Sequence, residues 1–447
     1  MGESSLLKTP KESHSQVKQT SSGRTSGETS NGAEGARRVL LAARSISQAK
    51  GQSTRLFDSL HKFFVYRVLL RLYSGQIFNG LAFYIIFFGR YWFMHKRLFI
   101  PGPVEVRSDI LEKMATPMMG HRTKDASALQ RSISEKMKKL MYTQNEILLS
   151  TSSGSGLMEG AVRSCTRKRA AVFSIGAFGE RWHKMAVCNG VQADKFSSDP
   201  GMATTPEMVD KVLATGKYDL ITITHNETAT GVMNPVEEIA PVMKKYPEVV
   251  YCVDAVSSMG GTKIEVDRLG IDICITSTQK CLGLPPGMSL CSISDKALDA
   301  ARQVEFRGVY FDLLDLYNYI KKKDYQYPST PSLSHMFALD YQLDRIMEEG
   351  QENRFARHRE MARYTQGWAR QNFELFADER HMSDTVTAIK NTRAIDVSAL
   401  NKKLGERGYM ISNGYGVLKD VTFRIAHMAD ASLEDIKELT GVIEQLI

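Results

Sequence analysis

From about residue 140 onward, short runs of β-branched and apolar residues alternate with longer stretches whose apolar positions recur at helical spacing. The runs predict strands at Glu146 to Ser150, Ala170 to Ile175, Leu220 to Thr224, Val249 to Val253, Ile271 to Ser277 and Met288 to Ile293. Helices are expected between them, at Leu157 to Thr166, Glu180 to Asn189, Pro206 to Ala214 and Pro235 to Lys245. The last two open on proline, which suits a first helical turn because the missing N–H would be unpaired there anyway. Strands that are apolar throughout are buried on both faces, and strands joined by crossover helices lie parallel. The expected fold class is therefore α/β, with a large domain of mostly parallel sheet and flanking helices over residues 94–330. After Pro331 the texture changes to a long charged helix, His335 to Gln371, and then to strand, helix, strand, helix at Thr385 to Ile389, Val397 to Arg407, Val421 to Ala426 and Leu433 to Leu446. This predicts a smaller C-terminal α+β domain over 331–447.

The front of the chain reads differently. Residues 1 to about 36 are rich in Ser, Thr, Gly and Lys with few large apolar side chains, so they cannot offset the entropy of folding and are expected to be disordered. A basic amphipathic stretch, Leu56 to Arg71, precedes an uncharged aromatic-rich run at 72–89, which sits at the low edge of a membrane span. The first thirty residues are too polar for a secretory signal. Three readings of residues 1–93 stay open: a membrane or interfacial anchor, an organelle-targeting leader, or an extension with no part in the chemistry. Any membrane contact is expected only through 56–93, and Met94 is the favoured start of the catalytic body.

Charge sharpens this division. Residues 1–99 hold 15 Lys and Arg against 5 Asp and Glu, so the overall net charge of +8 belongs to the leader and the body carries a net −2. The body thus gives no electrostatic reason to expect nucleic acid. Six cysteines without CxxC spacing or a histidine cluster read as buried thiols in a reducing compartment, with no metal site, and a cytoplasmic location follows as the expectation.

The candidate chemistry lies in the body. Lys280 follows the strand ending near Ser277, and Asp254 ends the apolar run Val-Val-Tyr-Cys-Val-Asp, where an unpaired carboxylate is costly and calls for a cationic partner. A lysine that condenses with an aldehyde and a carboxylate that keeps a pyridine nitrogen protonated are the two groups pyridoxal phosphate (PLP) requires. Thr151-Ser152-Ser153-Gly154-Ser155-Gly156-Leu157 marks a strand-to-helix turn where small residues let backbone N–H groups approach a phosphate. A dinucleotide loop or a plain helix cap competes there, but no acidic residue ends the next strand as the former requires. Phe178 follows the second strand, where an aromatic can stack on a flat cofactor, although packing alone would also place it there. His225-Asn226-Glu227-Thr228-Ala229-Thr230-Gly231 puts polar groups after the third strand, at a site mouth or in a solvated loop. Arg424, flanked by apolar residues in Val-Thr-Phe-Arg-Ile-Ala-His-Met, suits bidentate capture of a carboxylate or a buried structural ion pair.

Taken in order, these segments resemble the fold-type I, class V PLP-dependent aminotransferases, the group of alanine:glyoxylate, serine:glyoxylate and serine:pyruvate aminotransferases. The resemblance covers about Leu98 to Ile447. It rests on Pro101-Gly102-Pro103, Met118-Met119-Gly120-His121-Arg122, Ser153-Gly154-Ser155, Phe178-Gly179-Glu180-Arg181, the 225–231 loop, Val253-Asp254, Gln279-Lys280, Pro285-Pro286-Gly287, Tyr327 with Thr330, and Phe423-Arg424-Ile425. It implies a seven-stranded large-domain sheet and a homodimer with shared active sites. It also implies that Lys280 binds the cofactor aldehyde, Asp254 pairs with the ring nitrogen and Phe178 stacks on the ring. Ser153, Gly154, Ser155 and Gln279 would hold the phosphate, with Tyr327 and Thr330 reaching it from the other subunit. Thr228 or Ala229 stands where the family has a serine. Arg424 would bind the substrate carboxylate beneath a loop carrying Gly102. The implied reaction is ping-pong transamination between alanine or serine and glyoxylate or pyruvate. A PLP-dependent lyase or hydrolase and an inactive membrane-tethered homologue are the rivals; a cysteine desulfurase, which needs a mobile nucleophilic cysteine in a later loop, is disfavoured.

Overall fold

The structure, a computed structural model, describes residues 95–447; the expectations for 1–36, 56–71 and 72–89 fall outside the described residues. A seven-stranded sheet forms the centre, with strands in the spatial order Glu146–Ser150, Ser289–Ile293, Ile273–Ser277, Val250–Asp254, Leu220–Thr224, Ala170–Ser174 and Ala193–Ser197. All pairings among the last five are parallel, whereas Ser289–Ile293 runs antiparallel to both of its neighbours. Six of these strands are buried along their whole length, as apolar runs covered on both faces must be. The helices Gly154–Cys165 and Ala177–Cys188 pack against the sheet and share its core through Leu157, Val162, Trp182 and Ala186.

The seventh strand implied by the resemblance is Ala193–Ser197, which the apolar runs of the sequence did not locate. It sits at the sheet edge with Lys195 exposed, and such a strand carries no continuous apolar run.

A five-stranded sheet, in the order Arg97–Phe99, Tyr409–Asn413, Thr422–Ala426, Val386–Lys390 and Glu374–Leu375, has its own core around Phe373, Ile389, Ile411, Phe423 and Ile425. Two features differ from the sequence reading. The long helix expected over His335 to Gln371 is two helices, Leu333–Glu349 and Gln351–Asn372, because Gly350 adopts φ 81°, a left-handed backbone that a continuous helix does not accept. And Arg97–Phe99, assigned by sequence to the larger portion, pairs in parallel with Tyr409–Asn413 in the smaller sheet. Among the described residues no helix is long and apolar enough to cross a membrane.

Candidate active site

The larger sheet brings the sequence motifs to one edge. The parallel strands ending at Ser174, Thr224, Asp254 and Ser277 lie side by side, with Thr224 opposite Asp254 and Asp254 opposite Ile275. Glu146–Ser150 points the same way, because it is separated from Ile273–Ser277 by one antiparallel strand. The loops after all five strands therefore leave from a single carboxyl edge, where open α/β sheets bind ligands.

Asp254 and Lys280, at the ends of adjacent strands or just beyond, each feel the other's charge. Burial pushes the Asp254 carboxyl up to about 6, opposed by a hydrogen bond from Val256 N at 2.9 Å and by the Lys280 and Arg181 charges. The indole Nε1–H of buried Trp182 also favours the carboxylate, although its geometry falls short of a hydrogen bond. Burial pushes the Lys280 amine down to about 8; the Arg424 and Arg181 guanidiniums act in the same direction, Asp254 in the other. Lys280 Nζ donates to the carbonyl of Pro101. The next residue, Gly102, has φ +110°, and a Cβ there would lie 2.8 Å from Lys280 Cδ, Cε and Nζ. The loop at 100–103 thus lies directly on the lysine, and a side chain at 102 would displace the amine from where it stands.

The turn at 151–156 opens the helix Gly154–Cys165, with Ser153 at its N-cap and no side chain accepting the first N–H groups. Gly154 is buried, and a Cβ on it would meet Val256 Cγ2 at 2.6 Å. Nearby, Ser277 Oγ, 3.5 Å from where that Cβ would lie, is buried and has no hydrogen-bond partner among the described residues. An unpaired hydroxyl beside a helix N-terminus whose first N–H groups no side chain caps forms a ready anion cradle. Tyr327 is buried with its hydroxyl accepting from Thr151 N of its own chain at 3.3 Å, whereas Thr330 is exposed. The sequence reading sent both residues to another subunit's site; within this chain Tyr327 already reaches the turn.

On the far side, Glu227 organises two loops. Its carboxylate accepts from Phe178 N at 2.9 Å and Gly179 N at 3.3 Å, capping the helix Ala177–Cys188, and from Ala229 N at 3.0 Å. Burial nonetheless pushes its carboxyl up to about 7. Thr228 Oγ1 lies 2.6 Å from Ser257 Oγ. Arg424, 6% exposed, donates twice to Asn413 O, at 3.1 and 2.9 Å, and once to Thr228 O at 3.1 Å. Burial lowers it to about 10, with Glu227 opposing. A guanidinium has five N–H donors, so two remain for a ligand.

Sequence reasoning missed Tyr415 altogether and quoted Arg181 and Glu227 only as parts of motifs. The Tyr415 ring stacks on Phe178 at 5.7 Å and lies 5.6 Å from the Arg424 guanidinium. Arg181 lies 4.7 Å over the Phe178 ring and donates to Ser155 Oγ at 3.1 Å and to the Tyr415 hydroxyl at 3.2 Å.

The family described as "Aminotransferase class-V" matches residues 109–439. The chain belongs to the class V aminotransferases. As an aminotransferase it is 38% identical over 357 residues to an uncharacterized aminotransferase of Methanocaldococcus jannaschii, covering 78% of this chain and 92% of the relative. It is 31% identical over 359 residues to a serine–glyoxylate aminotransferase of Arabidopsis thaliana, covering 77% and 88%. The solved alanine–glyoxylate aminotransferase of a Nostoc species has the same fold, with a TM-score of 0.75 at 24% identity over 79% of this chain and 95% of that one. Class V aminotransferases depend on PLP, and the residues here fit that group. The unpaired Ser277 Oγ suits its phosphate, the buried Asp254 carboxyl, which forms no salt bridge among the described residues, suits a cationic ring nitrogen, and the Lys280 amine, lowered to about 8, gives up its proton far more readily than an ordinary lysine.

Proposed function

We propose that this aminotransferase moves an amino group between a small amino acid, alanine or serine, and a small 2-oxo acid, glyoxylate or pyruvate, in two successive half-reactions. A buried lysine lowered to about 8 at the same sheet edge as a buried carboxylate that forms no salt bridge among the described residues carries the reading. Similarity to the Arabidopsis serine–glyoxylate aminotransferase supports the substrate class.

When bound, pyridoxal phosphate supplies an aldehyde that takes and returns the amino group and a ring that draws electron density from the substrate's α-carbon. The residues of this chain do the rest. Asp254 would keep a proton on the ring nitrogen, and Phe178 would stack against the ring. Ser153, Gly154, Ser155, Gln279 through its amide N–H and the unpaired Ser277 would hold the phosphate, and Thr228, bonded to Ser257, would join the cofactor's surroundings. Lys280 Nζ removes the α-proton as the neutral amine and delivers it one carbon away; a pKa near the working pH gives it both protonation states. Arg424 binds the α-carboxylate with its two free N–H groups. The loop at 100–103 keeps water from Lys280, which fits its contact with Gly102. In a homodimer, the exposed Thr330 and its neighbours would complete the site of a second copy. All these groups belong to the compact unit Met94–Ile447, so residues 1–93 are proposed to take no part in the chemistry.

The test is a spectrum. PLP-loaded protein mixed with L-alanine or L-serine should convert its cofactor absorbance stoichiometrically to that of pyridoxamine phosphate and release one equivalent of 2-oxo acid, and glyoxylate should reverse the change. Pyruvate and ammonia released from serine without that conversion would replace the reading with a lyase.

A further inference from the structure

We propose that Tyr415 sets the largest substrate side chain this site accepts. This rests on the transamination reading above, whose carboxylate anchor is Arg424. Tyr415 lies in the connection between Tyr409–Asn413 and Thr422–Ala426, the strand that carries Arg424. Its ring is placed between two groups a substrate must satisfy: it stacks on Phe178 at 5.7 Å with 21° between the planes, and the Arg424 guanidinium lies 5.6 Å from its centre. A carboxylate held by Arg424, with its α-carbon brought to the cofactor covered by Phe178, must carry its side chain past this ring.

The ring is held in place. Arg181 donates to its hydroxyl at 3.2 Å, and Arg181 is itself fixed by Ser155 Oγ at 3.1 Å and by the face of Phe178. The backbone on either side is also constrained: Gly416 turns with φ 59°, and at Gly414 an added Cβ would overlap the Leu418 carbonyl. Tyr415 is nevertheless 40% exposed, so it stands at the mouth rather than in the core, and its replacement removes a wall without opening a cavity in the packed interior. The side chains of alanine and serine pass such a wall. Branched or aromatic ones meet it.

The first test needs no turnover. Binding of propionate and of 4-methylpentanoate, two monocarboxylates differing in bulk, is measured by calorimetry on the PLP-loaded protein. Tyr415→Ala should improve 4-methylpentanoate relative to propionate by about tenfold or more, Tyr415→Trp should move the ratio the other way, and Tyr415→Phe, which keeps the ring, should leave the wild-type ratio. The second test is the ratio of kcat/KM for L-leucine over L-alanine with glyoxylate, which should rise about tenfold in Tyr415→Ala. A carboxylate ratio that stays at the wild-type value in both Tyr415→Ala and Tyr415→Trp overturns the proposal. Wild-type protein that fails to transaminate alanine or serine overturns the small-substrate reading instead, and the carboxylate ratios still decide the role of the ring.

Discussion

Replacing Gly102 by alanine separates what the backbone requires at this position from what the lysine requires. At φ +110° an L-residue is strained by roughly 1–3 kcal/mol, offset by about 0.4–1 kcal/mol because alanine restricts the unfolded chain, which leaves a net loss of about 1–2 kcal/mol. The added Cβ would also lie 2.8 Å from Lys280 Cδ, Cε and Nζ. A lysine side chain can swing away at little cost in stability, but the amine that swings is the one the chemistry uses. Misplacing a reacting group by about 1 Å costs on the order of 100-fold in rate. Gly190→Ala is the control, because Gly190 has φ +73° and nothing among the described residues lies within 4 Å of its would-be Cβ. In urea unfolding, both variants should lose about 1–2 kcal/mol. In turnover, and in the rate at which borohydride fixes pyridoxal phosphate to Lys280, only Gly102→Ala should fall, by about 100-fold. Wild-type turnover and fixation in Gly102→Ala would refute the view that this loop packs on the reactive amine.

Three further outcomes follow from the same geometry. With Lys280 near pKa 8, its reaction with pyridoxal phosphate should accelerate about tenfold per pH unit below pH 8 and level off above it; a rate still rising through pH 10 would mean an ordinary lysine. The folded pKa of Asp254, about 6, lies above the ordinary 3.8, so between those values the folded chain holds the proton more tightly than the unfolded one, and cofactor-free protein loses stability as pH rises through that window, by up to about 3 kcal/mol. Asp254→Asn lacks this effect, so chemical denaturation should show its advantage over wild type opening between pH 4 and 6 and persisting above; a pH-independent gap would contradict the assignment. Arg424→Lys gives up the bidentate fork and leaves the carbonyls of Asn413 and Thr228 short of donors, so kcat/KM for alanine should drop about 10- to 100-fold, mostly through KM; unaltered KM would place the carboxylate elsewhere.

The parts of the fold visible in the sequence are those whose cause is local. Glu146–Ser150 and Leu220–Thr224 have the bounds that their apolar runs predict, because burial on both faces leaves a continuous apolar signature. Ala193–Ser197 escaped because an edge strand with Asp194 and Lys195 reads as loop. The break at Gly350 was missed because a glycine inside a helical pattern only weakens the helix; its φ of 81° comes from the surrounding chain. The pairing of Arg97–Phe99 with Tyr409–Asn413 joins segments more than three hundred residues apart, beyond the reach of any periodicity. The site divides in the same way. Lys280, Asp254 and the turn at 151–156 announce themselves at strand ends, whereas Tyr415 sits in an unremarkable Asn-Gly-Tyr-Gly connection and acquires meaning only when the smaller sheet sets it against Phe178.

That short first strand also ties three tasks to one support. Arg97–Phe99 is stitched to the sheet bearing Arg424 and Tyr415, and the chain passes straight from it into the segment that presses on Lys280. Arg424, Tyr415 and the segment over Lys280 therefore lean on a common prop, so a substitution that loosens Arg97–Phe99 from Tyr409–Asn413 reaches all three at once.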